Sequence, residues 1–497
     1  MPEEKTSLPS GPQPGRWVLS HGEIRTIVLG LTLAMFLAAL NQTIVATALP
    51  TIGRDLRNFE MLPWVVTAYL LTSTAVAPLY GKLSDIYGRR AMMLASIGIF
   101  VAGSAACAVA RDMIMLVLGR GLQGVGGGGI LPLAQAILAD AVAPRERGRY
   151  QAYMGSVWVT AGLAGPVLGG VLAEHFHWSV IFWANVPVGL LAALMARHSL
   201  KHLPRHERWH KLDLLGAGLM MATAIPLLLA LTWGGTRYPW LSPPIGALVL
   251  LGAALTLLFA WRLIRAPEPF LPLPVLANQV MRMGSMCTSF SQGVVVGLTI
   301  YLPLYYEVVH KFSASDSGLG LIPIIVMSTP GSIVAGRAMM HLEHYKRVPI
   351  IGLVCSIAGL SVLVWEPALS PIAVACLLSV VAFGIGTTYP VGTVSIQNAV
   401  SRYQVGAAMG AMNFFRGLTA AFIVAVMGAI VLAAIGLAPQ RGGATVVTEA
   451  ANASGADLAH VFRGIFALGV LCLIVSLIAL VRMEQRPLRG RSEDSET

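Results

Sequence analysis

Residues 25–49 read RTIVLGLTLAMFLAALNQTIVATAL, an apolar run with a single charge, at its first residue. About 20 apolar residues are enough to cross the hydrocarbon core of a bilayer as an α-helix. This segment therefore predicts a first membrane-spanning helix. The residues before it are polar and Pro-rich and lack the basic start and small-residue cleavage site of a secretory signal, so we expect an uncleaved anchor.

Apolar runs of the same kind recur along the whole chain. Transmembrane β-strands would be about ten residues long with alternating polarity, and these runs are longer and lack that alternation. The sequence therefore predicts an all-α polytopic membrane protein with fourteen spans. The predicted spans are 25–49, 63–81, 91–110, 113–139, 151–172, 178–197, 212–233, 243–263, 284–307, 317–338, 348–365, 371–394, 406–435 and 461–482.

The composition argues against a water-soluble protein. Hydrophobic residues make up 56% of the chain and charged residues only 11%, whereas soluble domains carry about 25% charged residues. The net charge of +11 is spread through short loops rather than gathered on one domain, so we predict no nucleic-acid partner. The five cysteines lie in apolar runs without motif spacing, and we predict no metal site and no cofactor.

Lys and Arg residues are concentrated on one side of the predicted spans. If the N-terminus lies inside, the inside loops and tails carry most of the 34 basic residues, and the outside loops carry few. Cytoplasmic loops of membrane proteins are enriched in these residues. We therefore predict a multi-pass protein of the bacterial inner (plasma) membrane, with both termini in the cytoplasm.

Two distant stretches match at an offset of 258 residues, which pairs Pro132 in span 4 with Pro390 in span 12. The same offset aligns two pairs of glycines beside these prolines. We infer two related six-helix bundles that rock about a central site; chance use of Gly and Pro in apolar helices is the alternative. The predicted divisions are a cytoplasmic N-terminal tail at 1–24, an N-terminal six-helix bundle at 25–198, a linker with two inserted transmembrane helices at 199–282, a C-terminal six-helix bundle at 283–482 and a cytoplasmic C-terminal tail at 483–497.

The loop between predicted spans 2 and 3 reads GKLSDIYGRR, residues 81–90. Its glycines permit a tight helix exit and close approach, and its acid can cap the next helix or pair with an arginine across a bundle interface. This decapeptide resembles the loop signature of the major facilitator superfamily. An ordinary basic loop would explain the arginines but not the spacing of the glycines and the acid. The candidate gating residues are Gly81, Asp85, Gly88, Arg89 and Arg90.

Three further stretches resemble the drug:proton antiporter branch of that superfamily, which has fourteen spans. They are LNQTIVATALP at 40–50, RGLQG at 120–124 and GLAGPVLGG at 162–170. The resemblance implies that Arg120 takes part in proton coupling, and that the third stretch packs small residues against a partner helix and bends at Pro166. The antiporter-motif residues are Gly162, Gly165, Pro166, Gly169 and Gly170.

The chain departs from this pattern at two places. The first-span motif usually has Asp where this chain has Asn41, and an amide can hydrogen-bond but cannot carry a proton. The second-half counterpart of the loop signature, Gly336 to Arg347, is degenerate and lacks the Asp. The resemblance therefore leaves open which residue carries a coupled proton.

Two arginines lie deep in predicted spans, Arg120 in span 4 and Arg416 in span 13. No Asp or Glu lies clearly at the middle of a span, so neutral groups such as Asn41, Gln123 and Asn413 are the expected partners of these cations. Ionisable residues at this depth are costly and are candidates for function. One interpretation is structural, with the arginines held by neutral groups. The other is a positive central cavity suited to neutral or anionic substrates, or to a coupling anion.

Glu307, at the end of predicted span 9, is a candidate proton carrier in the second half of the chain. The alternative interpretation is a solvated residue at the outer rim of the bundle. Sequence alone does not separate the two, because both place the carboxylate at a span end.

Spans, repeat and resemblance together predict a secondary active transporter that exports amphipathic drugs or toxic small molecules by alternating access, in exchange for protons. The alternative is a dedicated exporter of one endogenous metabolite or lipid-like molecule, without proton coupling through span 1. Clustered His, Asp or Cys residues at one depth are missing, so we predict that the chain is not an enzyme. Some members of this branch work with a periplasmic adaptor protein. The outer loop 436–460 is long enough to contact one, although its composition also fits flexible filler.

Overall fold

A computed structural model of the chain describes residues 20–58, 61–202, 213–235, 237–434 and 455–488. These residues form α-helices joined by short loops. The helices are α1 His21–Asp55, α2 Leu62–Tyr87, α3 Arg89–Ala108, α4 Met113–Ala141, α5 Pro144–His175, α6 Val180–Ser199, α7 Leu214–Trp233, α8 Pro243–Arg265, α9 Leu273–Ala277, α10 Gln279–Val309, α11 Ala314–Leu319, α12 Ile322–Val326, α13 Ser328–His341, α14 Arg347–Trp365, α15 Pro371–Ala399, α16 Val405–Ala434 and α17 Gly455–Arg482.

Thirteen helical stretches of the described residues are long and apolar enough to cross a membrane, one of them made up of the short helices α11, α12 and α13. They coincide with all the predicted spans except the fifth, residues 151–172. That span lies within α5, where the placement of several side chains, including Pro166, is outside the described residues. The count of fourteen spans therefore stays a prediction. Most of the two predicted tails and of the outer loop 436–460 also lies outside the described residues.

The structure repeats with the offset seen in the sequence. Helices α1 and α10 begin 258 residues apart, as do α3 and α14, and helices α4 and α15 both begin and end at this offset. The caps repeat too, because Ser20 and Asn278 cap α1 and α10, and Asp112 and Ser370 cap α4 and α15. Each of these side chains accepts a hydrogen bond from a backbone N–H that the first helical turn leaves free. The shared helix and cap positions support an internal repeat, while the domain boundaries stay predictions.

The tenth span departs from the single helix predicted at 317–338. It is divided into α11, α12 and α13, with interruptions at Gly320–Leu321 and at Met327. Pro323 and Pro330 lie beside these interruptions. Proline lacks a backbone N–H and clashes with the preceding turn, so it breaks a helix that apolarity alone would make continuous.

The helices pack as two lobes, α1–α6 and α10–α17, each with its own buried core. A third set of buried residues, which we call the seam cluster, joins α2 and α4 of the first lobe to α16 of the second and includes Ala136, Ala408 and Met412. We call the end of the bundle where α2 ends and α3 begins the terminal face. The first described residue, Ser20, lies on this face. Residues 483–488 lie there too, because the Glu484 N–H donates to the Gln279 side chain at the start of α10. The opposite end is the distal face.

Helices α7 and α8 form a hairpin outside the two lobes. Helix α7 packs against both α2 and α16, and Trp233 meets Trp64 of α2 with ring centroids 5.6 Å apart. Asp213 caps α7 by accepting the Gly216 N–H and forms an ion pair with Arg262 of α8 at 3.0 Å. The hairpin therefore lies along the seam between the lobes, on the side formed by α2 and α16.

Candidate functional site

Asp85, one of the predicted gating residues, links the two lobes at the terminal face. Its carboxylate accepts the backbone N–H of Gly406 at 3.0 Å and that of Ala407 at 2.8 Å. These donors belong to the first turn of α16, where N–H groups have no partner within the helix and carry partial positive charge. Asp85 thus caps a helix of the opposite lobe, rather than the next helix along the chain.

Arg89 holds two carboxylates on its own lobe. It donates through Nη1 to Asp85 at 2.5 Å and through Nε to Asp140 at 2.9 Å, and all three side chains are less than a tenth exposed. The sequence suggested that Asp85 could pair with an arginine across the bundle interface. In the structure, the arginine that pairs with Asp85 lies on the same lobe. The Asp85 carboxylate faces the partial positive charge of the α16 N-terminus, which favours attraction across the seam.

The gating glycines have different roles. A side chain at Gly81 would collide with the backbone carbonyl of Gly406, so this glycine allows α2 and α16 to touch. Gly88 has open space around it but has a φ of +92°, which turns the chain from α2 into α3 and disfavours other residues. Arg90 is half-buried, and its Nε has no hydrogen-bond partner among the described residues.

Further contacts join the lobes near the same face. Gln397 of α15 donates to the backbone carbonyl of Gln135 in α4 at 3.0 Å, and Asn413 of α16 donates to the Gln135 side chain at 2.7 Å. Arg145 of α5 donates to the backbone carbonyl of Met340 in α13 at 2.8 Å. In the part of the chain that the structure describes, the hydrogen bonds between the lobes all lie in the half nearer the terminal face. The lobes are therefore closed against each other at that face.

Arg120 is held inside the first lobe by neutral groups. It donates through Nε to the Val65 carbonyl at 2.9 Å and through Nη1 to Gln123 at 2.5 Å, and it stacks on Tyr69 at 4.5 Å from the ring centroid. The residue is 1% exposed, and no carboxylate of the described residues pairs with it. A cation without an anion needs such dense solvation by dipoles and an aromatic face.

Asn41 belongs to the same buried network. Its Oδ1 accepts from Gln123 at 3.1 Å and from Asn185 at 3.1 Å, while its Nδ2 is buried without a partner. An unpaired donor in this position is costly. A carboxylate at residue 41 would keep both hydrogen bonds and remove the unpaired donor, and it would lie two hydrogen bonds from Arg120.

Arg416 is placed differently from Arg120. It is half-buried, and its contacts to Asn413 and to Gln292 of α10 are long, at 3.4 and 3.3 Å. Its guanidinium lies 5.6 Å from the ring centroid of Tyr389 in α15. The four side chains come from three helices of the second lobe, and each is half-buried. The structure thus separates the two deep arginines into one enclosed network in the first lobe and one open cluster in the second.

The antiporter-motif glycines lie at the contact between α1 and α5. Side chains at Gly165 and Gly169 would collide with Thr43 and Thr47 of α1, and the Thr43 hydroxyl donates to the Ala161 carbonyl at 2.9 Å. Gly162 instead faces Ile325 of the second lobe, with room for a Cβ at 3.5 Å. The surroundings of the other two motif residues, Pro166 and Gly170, lie outside what the structure describes.

Glu307 lies apart from both arginine networks. It is half-buried near the distal end of α10, and no hydrogen bond or ion pair joins it to another described residue. The structure therefore does not bring Glu307 together with Arg120 or Arg416.

Several residues that build these networks were not predicted. Their common property is an amide or phenol inside or just beyond a predicted span, and a census restricted to charged groups overlooks them. They are Tyr69, Gln135, Asn185, Gln292, Tyr389 and Gln397. Uncharged polar groups at membrane depth are themselves uncommon enough to serve as a signal.

Comparison with known proteins identifies the family. Residues 31–424 match the sequence model of the Major Facilitator Superfamily. The multidrug transporter protein MdtP of Bacillus subtilis is 30% identical over 411 residues, which cover 82% of this chain and 76% of that protein. The efflux pump FUS6 of Gibberella fujikuroi is 34% identical over 354 residues; the match covers 69% of this chain but only 63% of FUS6.

Solved structures show the same fold at low sequence identity. The human organic anion transporter MFSD10 superposes with a TM-score of 0.63 at 16% identity, covering 90% of this chain and 99% of that one. A bacterial homologue of the iron transporter ferroportin, in an outward-facing state, gives a TM-score of 0.63 at 10% identity, covering 93% and 100%. The chain is a membrane transporter and belongs to the major facilitator superfamily.

Proposed function

We propose that the chain is a secondary active exporter that moves amphipathic drugs or toxic small molecules out of the cell in exchange for protons. The observation that carries this proposal is the closure of the seam at the terminal face, where the hydrogen bonds between the lobes lie among the described residues. In alternating access, two bundles close at one face while the space between them opens to the other. The contacts of Asp85 and Gln135 across the seam fit the closed side of such a cycle.

The direction of transport follows from the orientation of the chain. With both termini in the cytoplasm of a bacterial inner membrane, as the distribution of basic residues predicts, the terminal face is cytoplasmic and the described state is closed on the cytoplasmic side. Closure on this side fits the stage at which an exporter releases its substrate outward and receives a proton. The relatives MdtP, a multidrug transporter, and FUS6, an efflux pump, support export as the physiological direction.

Proton coupling is the second part of the proposal. One proton moving down a membrane potential supplies about 2.3 kcal/mol per 100 mV, which is enough to concentrate a substrate usefully. Among the predicted site residues, Glu307 is the candidate carrier, since Asn41 cannot titrate and Asp85 and Asp140 are engaged by Arg89. Arg120 supports the fold of the first lobe and fixes the polar network around residue 41.

A second candidate function is supported by one observation. Asn41 replaces the acid of the family motif, and the buried network around it contains no carboxylate among the described residues. A dedicated exporter of one metabolite or lipid-like molecule, without proton coupling through span 1, would need no carboxylate in this network. The predicted adaptor contact at 436–460 falls mostly outside the described residues and stays a prediction.

Inside-out membrane vesicles with an imposed pH gradient, acidic inside, test the two candidates. Proton-coupled export predicts uphill uptake of several unrelated amphipathic dyes that stops when nigericin collapses the gradient. Glu307→Gln should abolish the uphill component and leave downhill exchange. Uptake of a single compound that is indifferent to the gradient would overturn the antiport proposal in favour of the second candidate.

A further inference from the structure

We propose that Arg416 is the receptor for an anionic group of the transported molecule, so that amphipathic anions are the preferred substrate class. This inference rests on the proposed export function and specifies the chemistry of its central site. It starts from the unequal treatment of the two deep arginines. Arg120 is satisfied by short contacts in a closed network, whereas Arg416 is not.

The guanidinium of Arg416 retains unused hydrogen-bonding capacity. Arginine carries five N–H donors in a planar fork. Within the described part of the chain, Arg416 donates through Nη1 and Nη2 only, over distances longer than 3.2 Å and to neutral amides. The Tyr389 ring lies over the guanidinium, with its centroid 5.6 Å from the central carbon. A carboxylate, sulfonate or phosphate can accept two parallel bonds from such a fork.

The charge of Arg416 has no counterion among the described residues. No carboxylate of the described residues forms an ion pair with it. The Asp85 carboxylate that crosses the seam binds the α16 N-terminus, about 15 Å along the helix from Arg416. A partly desolvated cation is costly when unpaired, so an anionic ligand gains free energy here that a neutral one does not and a cation loses.

The position of Arg416 also ties ligand binding to the seam. Asn413 lies one helical turn nearer the terminal face and bonds both to Arg416 and to Gln135 of the first lobe. The arginine therefore stands just on the distal side of the last hydrogen bond that closes the lobes. An anion that takes over Nη1 displaces the Asn413 carbonyl oxygen and alters the residue that holds the two lobes together at this depth.

Equilibrium binding to the purified chain in lipid nanodiscs tests this inference without transport. The probes are fluorescein, an anion, and rhodamine 123, a cation on the same xanthene skeleton, followed by fluorescence anisotropy. The wild-type chain should bind fluorescein more tightly than rhodamine 123. Arg416→Gln should weaken fluorescein binding by about tenfold or more, the loss expected for one charge-assisted contact, and should leave rhodamine 123 unchanged or tighter.

Arg54→Gln is the matched control, because it removes one cation from an exposed position at the distal face. Equal fluorescein affinity in Arg416→Gln and Arg54→Gln would overturn the inference. So would a wild-type chain that binds rhodamine 123 and not fluorescein, a result that needs no variant to fold. Anion-selective binding without gradient-driven transport would keep the inference and overturn the proposed antiport, so the two can fail separately.

Discussion

Replacing Asp85 with Asn should weaken the closure of the terminal face. The carboxylate accepts two backbone N–H groups of the α16 first turn and the Arg89 guanidinium, and the side chain is 6% exposed. The amide keeps one acceptor oxygen and loses the negative charge, while its NH₂ group faces donors. Hydrogen bonds to charged groups contribute about 1.5–3 kcal/mol each. Losing one such contribution shifts the closed-to-open equilibrium by about 10- to 150-fold.

Alkylation of a cysteine in the seam measures this shift. Ala408 is fully buried in the seam cluster, and an Ala408→Cys chain with exposed Cys355 and Cys376 changed to Ser provides one reporter. A hydrophilic maleimide added from the terminal face should react about 10- to 150-fold faster after Asp85→Asn if opening precedes reaction. Glu343→Gln removes an exposed carboxylate on the same face and serves as the control.

Equal alkylation rates in the two variants would refute the assignment of Asp85 as the cap that holds the lobes together. A faster rate in both would mean that net charge on the terminal face, rather than the cap geometry, controls opening.

Three further predictions follow from the packing and polar networks. Gly165→Ala should lower the thermal stability of the purified chain, because the added methyl group overpacks against Thr43 at a cost of about 1–3 kcal/mol. Gly98 has open space around it, so Gly98→Ala should not lower the stability. Equal effects of the two substitutions would contradict the packing argument. Asn41→Asp should fold and should make vesicle transport depend more steeply on pH, since the substitution places a titratable group in the Arg120 network. An unchanged pH profile would contradict a link between this network and transport. Burial lowers the pKa of His310, which follows α10, below its unfolded value near 6.5. The neutral imidazole therefore stabilises the fold above pH 6.5, and this contribution is lost as the pH falls below 6.5 and the unfolded chain takes up a proton. The melting temperature should drop less between pH 7 and 5 in His310→Gln than in the wild type.

The positions of the membrane helices could be predicted because apolarity and length are local properties of the chain. The offset of 258 residues even located matching helix starts, since the two halves keep their caps as well as their spans. The interruption of the tenth span was missed because a window of apolar residues hides the effect of Pro323 and Pro330 on the backbone.

The partners of the candidate site residues were less predictable. Asp85 binds backbone N–H groups of α16, and backbone donors leave no trace in a list of side chains. The different surroundings of Arg120 and Arg416 depend on which helices bring their amides and tyrosines into contact. Only tertiary packing shows that Gln123 and Val65 enclose Arg120, while Arg416 stays half-buried.

Distances between the lobes at both faces test the proposed alternation most directly. Spin labels at Tyr87 and Ser401 report the terminal face, and labels at Arg54 and Lys311 report the distal face, all at exposed positions. On cycling between acidic and neutral pH with substrate in lipid, the account predicts that one distance lengthens while the other shortens. Two distances that stay fixed, or that lengthen and shorten together, would contradict it.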